Sequence, residues 1–78
     1  MENKNEYLFG MHPVLEALES GKRIEKVMFR QGLEGPQFHR LLKMLQEAGV
    51  NVQFVPDERL NRFTKGRHQG VVAMISQV

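Results

Sequence analysis

The 78-residue sequence predicts an α/β fold. Short apolar segments with strand character alternate with segments whose apolar residues recur at helical spacing. The resulting order is strand–helix–strand–helix–strand–helix–strand, which is typical of a mainly parallel or mixed sheet with helices on both faces. A chain of this length forms one domain with a single small core.

The first half of the chain predicts a strand, a short helix and a second strand. Residues 7–10 are a short apolar run that ends in glycine. Pro13 suits the first turn of the following helix, whose apolar residues recur at i, i+3 and i+4, and Gly21 is a natural stop. Residues 24–29 then predict a strand covered on both faces, because they end in a nearly continuous apolar run.

The second half predicts a long helix, a half-buried strand, a short helix and a final strand. Residues 37–48 have the clearest helical periodicity in the chain. Apolar and polar residues alternate over residues 50–54, which is typical of a strand with one buried face. Asp57 is the predicted N-cap of a short helix over residues 58–63. Residues 71–75 are the predicted last strand, an inner one.

The composition excludes several classes of protein. The chain has no cysteine, which excludes thiolate zinc sites and favours a reducing cytoplasm. No apolar run approaches the length of a membrane helix, so we expect no membrane partner. Residues 1–6 are polar and predict a disordered N-terminal segment before a domain over residues 7–78.

The positive charge of the chain is concentrated after its first helix. Residues 21–78 carry ten lysines or arginines against five acids, whereas the whole chain has a net charge of only +2. This distribution permits a polyanionic partner such as RNA without requiring one.

No motif in the sequence indicates catalysis. The three histidines are widely spaced and match no metal-ligand pattern, and neither a Walker-type loop nor a GxGxxG motif is present. Asp57 and Glu58 fit the start of a helix better than an acid/base pair. We therefore expect that this chain alone is not an enzyme and that it has no catalytic, metal-binding or cofactor-binding residues.

The segment over residues 59–68 contains four cations and a histidine but no acid. Cations on an accessible loop suit phosphate contacts, and Gly66 would let the backbone approach a phosphate closely. The alternative is a solvated basic surface. The candidate RNA contacts in and directly after this segment are Arg59, Arg62, Lys65, Arg67, His68 and Gln69.

A second candidate site lies where the first helix begins. A helix N-terminus offers unpaired N–H groups and the positive end of the helix dipole, so the junction that begins at Gly10 can hold an anion. His12 would add a donor to a phosphate or a base edge. The alternative is that His12 caps the helix or fills a gap.

Two motifs in these segments resemble those of a known family. The pattern G-x-H-P-V-x-E-A-L is present over residues 10–18, and H-Q-G-V over residues 68–71. From Tyr7 to Val78 the sequence resembles the N-terminal substrate-binding domain of the SpoU (TrmH-like) RNA ribose 2′-O-methyltransferases, above all the bacterial enzymes that methylate a guanosine of 23S rRNA. The resemblance implies an L30e-like three-layer α/β/α sandwich with a mixed four-stranded sheet.

The resemblance also implies that RNA binding and methyl transfer belong to different domains of a longer protein. This chain would bind RNA, large-subunit rRNA first and tRNA as the alternative. A separate knotted C-terminal domain would bind S-adenosylmethionine, transfer the methyl group and form a homodimer, while the isolated chain would be a monomer. One alternative is a stand-alone L30e-like binder of kinked RNA, although such proteins begin an early helix with G-x-N-E rather than G-M-H-P. Another is a module that docks only on protein.

Overall fold

The computed structural model describes residues 5–62 and 69–76 of the chain. All seven predicted elements are present in the predicted order, which confirms the α/β class. The elements are β1 (Asn5–Phe9), α1 (Met11–Glu19), β2 (Ile24–Arg30), α2 (Pro36–Glu47), β3 (Asn51–Val55), α3 (Asp57–Leu60) and β4 (Val71–Ser76).

The four strands form one mixed sheet in the order β1-β4-β2-β3. β4 pairs antiparallel with both β1 and β2, while β2 and β3 are parallel. The last strand of the chain is therefore internal, as its apolar run predicts. Val71, Val72 and Ala73 are fully buried because helices cover both faces of this strand.

The helices lie on both faces of the sheet, as the three-layer expectation requires. α1 and α2 cover one face, where Val14 and Leu45 pack with Phe29 and other inward residues of β2 and β4. The short α3 lies on the opposite face, where Leu60 packs with Met28 and its neighbours. The third layer is a single helical turn, so it covers only part of its face.

Two predicted boundaries differ from the structure. β1 begins at Asn5, so residues 5 and 6 belong to a strand rather than to the disordered segment, and residues 1–4 lie outside the described part. The N-cap of α3 is Pro56, so assigning that position to Asp57 was wrong. Proline has its φ near −65° and here takes an extended ψ of 151°, which suits an N-cap.

α3 is also shorter than expected, since it ends at Leu60. Asp57 lies in its first turn, where a carboxylate complements the helix dipole, and it accepts a long 3.5 Å hydrogen bond from Asn61 Nδ2. The predicted helical residue Phe63 lies outside the described residues. No helix in the described part of the chain is long and apolar enough to cross a membrane.

Candidate nucleic-acid interface

Several chain segments meet at one end of the sheet. β1, β2 and β3 finish at this end and β4 starts there, because β4 runs antiparallel to β1 and β2. The Gly10 N–H donates to the Val71 carbonyl at 3.0 Å, and the Arg30 N–H donates to the Gly70 carbonyl at 2.8 Å. We call this region the loop end; it comprises residues 10–12, 30–37, 56–62 and 69–70.

The two sequence motifs are in contact at the loop end. A Cβ atom added to Gly10 would lie 3.0 Å from Gln69 Oε1, so the Gln69 carboxamide occupies the space beside the Gly10 backbone. Gly10 has φ 95° and ψ 162°, a conformation that is essentially restricted to glycine. The glycine that starts α1 therefore leaves room for a side chain that arrives from the start of β4.

Gln69 itself is held in an unusual backbone conformation. Its φ is +51°, and it is the only non-glycine residue in the described part of the chain that has a positive φ. A non-glycine residue in this region costs of the order of 1–3 kcal/mol and is found preferentially at binding sites. Gly70 follows with φ +80°, so the two residues make a tight turn into β4. This turn keeps Gln69 exposed while its carboxamide lies at the start of α1.

The N-termini of α1 and α2 both lack a side-chain cap. The N-cap residues are Gly10 and Gly35, which have no side chain to cap the helix, and neither first turn contains an acidic residue. Both begin at the loop end, because each follows a strand that finishes there. Uncapped N–H groups and the helix dipole attract anions, so the two helix starts give this region a positive electrostatic character.

A groove of about 200 Å³ lies between α1 and α2 beside these N-termini. Its rim carries the exposed His12 and Arg40, and its floor is apolar. No carboxylate contributes to the described lining. A guanidinium and an imidazole above an apolar floor suit a phosphate together with the sugar or base attached to it. The lining residues are Met11, His12, Leu15, Gln37, Arg40 and Leu41.

The structure brings together only part of the predicted site. Gly10, His12 and Gln69 lie around the start of α1. Arg59 is on α3 and Arg62 lies two residues after its end; both are exposed, but α3 packs on the other face of the sheet, away from the groove. The remaining predicted contacts, Lys65, Arg67 and His68, lie outside the described residues.

Two arginines that sequence reasoning missed belong to this region. Arg40 lines the groove, and Arg30 is exposed where β2 ends, next to Gly70. The only available signal was their position, since Arg30 ends an apolar strand and Arg40 lies early in α2. Within residues 5–62 and 69–76, no group of three histidine or acidic side chains could hold a metal ion.

Comparison with solved structures supports the fold. The crystal structure of an rRNA methyltransferase from Sinorhizobium meliloti matches 95% of this chain with a TM-score of 0.75 at 21% sequence identity. The match covers 27% of that chain. At this level of identity the likeness establishes a shared architecture, which agrees with the mixed sheet and its covering helices.

Comparison with curated sequences gives relatives that are much longer than this chain. "Putative TrmH family tRNA/rRNA methyltransferase YacO" from Bacillus subtilis (strain 168) is 28% identical over 76 residues, which is 97% of this chain and 30% of the relative. A TrmH family relative from Staphylococcus aureus (strain COL) is 33% identical over 69 residues, or 88% of this chain and 28% of the relative. The chain thus spans less than a third of the length of these relatives.

A family model shows where the chain belongs. The model described as RNA 2′-O ribose methyltransferase substrate binding matches residues 7–78, nearly the whole chain. The match includes both motifs that meet at the start of α1, and it agrees with the resemblance found in the sequence. The chain is therefore a member of the substrate-binding domain family of the SpoU (TrmH-like) RNA 2′-O-ribose methyltransferases.

Proposed function

We propose that this chain holds the RNA substrate of a ribose 2′-O-methyltransferase through the loop end of its sheet. The observation that carries the proposal is the contact between Gln69 and Gly10 at the uncapped start of α1. It brings the two family motifs together, with Gln69 and His12 exposed and Gly10 itself buried. The strained φ of Gln69 does not serve to bury its own side chain, since Gln69 is exposed.

The chemistry of this surface suits a phosphate–ribose backbone. The Gln69 carboxamide has two N–H donors and one acceptor oxygen, so it is able to contact a phosphate or a ribose 2′-hydroxyl. His12 and Arg40 add donors on the adjacent groove, and the first turn of α1 has no acidic side chain that would repel an anion. Such contacts position an RNA without reading much of its sequence.

The proposal extends to a longer protein in which this chain presents RNA to a methyltransferase domain. That domain would bind S-adenosylmethionine, carry the catalytic residues and form a homodimer, and the RNA would be large-subunit rRNA, with tRNA as the alternative. The length of the relatives and their assignment to tRNA/rRNA methylation support this division. The catalytic and cofactor-binding groups would then all lie outside this chain.

The binding proposal is tested by titrating the chain into a fluorescein-labelled RNA stem–loop at 50 mM and 200 mM salt. Three phosphate contacts predict an affinity that falls roughly 20- to 40-fold over this range, because each contact releases counterions. The DNA stem–loop of the same sequence is the control for the 2′-hydroxyl and should bind more weakly. Weak binding that does not change with salt would contradict the proposal.

Two further measurements separate the parts of the proposal. Combined replacement of Arg62, Arg67 and His68 by alanine should weaken RNA binding. An unchanged affinity would show that the basic segment over residues 59–68 is not part of the interface.

Incubation of the chain with RNA and tritiated S-adenosylmethionine should leave the RNA unlabelled. Incorporation of tritium would contradict the assignment of catalysis to another domain.

A further inference from the structure

The sheet face that carries α3 continues beyond this helix. α3 buries Leu60 against Met28, Val55 and Val72 near the loop end. Farther from the loop end, each strand places at least one more residue on the same face, because side chains alternate along a strand. Among the described buried residues, Leu60 is the helical residue that packs in the cluster on this face, and the cluster lies near the loop end.

These residues form a row that crosses all four strands. Tyr7 pairs with Met74, Met74 with Lys26, and Lys26 with Asn51. We call Tyr7, Met74, Lys26 and Asn51 the open row. With neighbouring strands about 4.8 Å apart, the row is about 14 Å long. Tyr7 is 37% exposed, Asn51 is exposed, and the two central side chains are half-buried.

The chemistry of the open row matches that of unpaired RNA. Tyr7 offers an aromatic ring on which a base can stack, Lys26 offers a cation for a phosphate, and Asn51 offers an amide for a base edge. Gln53 and Ser76 extend the polar groups on the same face. Among the residues that the described strand pairs place on this face, none is acidic. A sheet with exposed aromatic residues is a general platform for two or three unpaired bases.

We propose that the open row binds unpaired nucleotides of the RNA whose backbone contacts the loop end. The inference rests on the proposed function and adds a second contact to it. The first contact holds phosphates and ribose at the helix starts, while the second holds bases on the opposite face of the sheet. RNA with a single-stranded segment next to a stem would therefore bind more tightly than the stem alone.

The chain carries its own probe for this contact. Tyr7 is the only tyrosine and there is no tryptophan, so intrinsic fluorescence reports on Tyr7 alone. The titration compares an RNA stem–loop with a five-adenosine 3′ tail and the same stem–loop without it. We expect the tailed RNA to bind more tightly and to quench the fluorescence in a saturable way, after correction for absorption with free tyrosine amide.

Four variants make the test specific. Tyr7→Ala should weaken binding of the tailed RNA about fivefold or more, whereas Tyr7→Phe keeps the ring and should bind like the wild type. Lys26→Gln should reduce the slope of log K against log[salt] by about 0.7. Lys43→Gln is its matched control, because Lys43 is an exposed lysine on α2, which covers the opposite face of the sheet. This variant should leave the slope unchanged.

The outcomes separate this inference from the proposed function. If the wild type binds neither RNA, both fall. If it binds both RNAs equally and Tyr7 fluorescence does not change, the open row is not an RNA contact. A protein is then the remaining candidate partner for this face, and the proposed function stands. If Tyr7→Ala fails to fold, as judged by circular dichroism, wild-type quenching and the Lys26→Gln slope decide the question.

Discussion

Replacing Gln69 by glycine should leave the domain as stable as before, or more stable, while weakening its hold on RNA. We expect stability and RNA affinity to change in opposite directions because of the geometry of this residue. Its left-handed φ of +51° is costly for glutamine and free for glycine. Its carboxamide, which lies beside Gly10 at the start of α1, is the group that the proposal assigns to RNA.

Both magnitudes of the Gln69→Gly change can be estimated. Glycine removes about 1–2 kcal/mol of left-handed strain but adds about 0.4–1 kcal/mol of unfolded-chain entropy. The free energy of unfolding should thus rise by about 0–1.5 kcal/mol. Loss of one hydrogen bond to a charged phosphate costs about 1.5–3 kcal/mol of binding, which is roughly a 10- to 150-fold weaker affinity.

The assay pairs urea unfolding, followed by circular dichroism, with the anisotropy titration of the RNA stem–loop. Gln69→Ala is the matched variant, because it removes the same carboxamide but keeps the backbone strain. It should bind RNA as weakly as the glycine variant, and it should be less stable than that variant by about 1 kcal/mol. Gln69→Asn keeps a shorter carboxamide and tolerates the left-handed region, so its affinity should be intermediate.

Two results would refute this reasoning about Gln69. A loss of more than about 1 kcal/mol of stability in Gln69→Gly would mean that the side chain holds the start of α1 in place as a structural element. An unchanged RNA affinity with unchanged stability would mean that the strained turn has no part in binding.

Three further predictions concern burial and charge. Gly10→Ala should cost about 1–3 kcal/mol of stability and weaken RNA binding, because the added methyl group would displace Gln69. Gly35→Ala is its control: Gly35 has a similar backbone (φ 125°, ψ 159°) but open space around it, so the change should cost about as much stability without displacing Gln69. Equal stability of Gly10→Ala and the wild type would contradict this prediction. Leu60→Ala should cost about 2–5 kcal/mol in urea unfolding because the side chain is fully buried between α3 and the sheet, and a cost below 1 kcal/mol would show that α3 is not packed as described. Arg40→Gln should weaken RNA binding and reduce its salt slope by about 0.7–0.9, whereas Arg23→Gln, exposed at the opposite end of the sheet, should change neither; equal effects would mean that charge matters only in total.

The order and type of the elements were accessible from the sequence because they depend on local patterns. The helical spacing of residues 37–48 and the apolar run of residues 71–75 each report directly on burial. Strand pairing was less accessible, since the parallel or antiparallel sense of each neighbour is decided by how the layers pack. Phe54 shows what the local pattern misses. It lies at a position that the alternation of apolar and polar residues predicts to be buried, but it is 47% exposed because β3 lies at the edge of the sheet.

The candidate site was predictable in its parts but not in its arrangement. Gly10, His12 and Gln69 could be chosen from two motifs, whereas their contact depends on the pairing of β1 with β4, which joins the two ends of the chain. Arg40 could not be found, because one cation on an amphipathic helix carries no pattern until the neighbouring helix forms a groove beside it. Pro56 was missed as the N-cap of α3, and Asp57 was assigned instead, because a proline N-cap is uncommon.

Backbone amide chemical shifts of the ¹⁵N-labelled chain during titration with the RNA stem–loop show whether RNA binds at the loop end. The account predicts that the largest changes occur at residues 10–12, 37–40 and 69–70, that they saturate together, and that they diminish as salt is raised. If the resonances of Gly10, His12 and Gln69 stay in place while others move, the loop end does not bind RNA and the account is wrong.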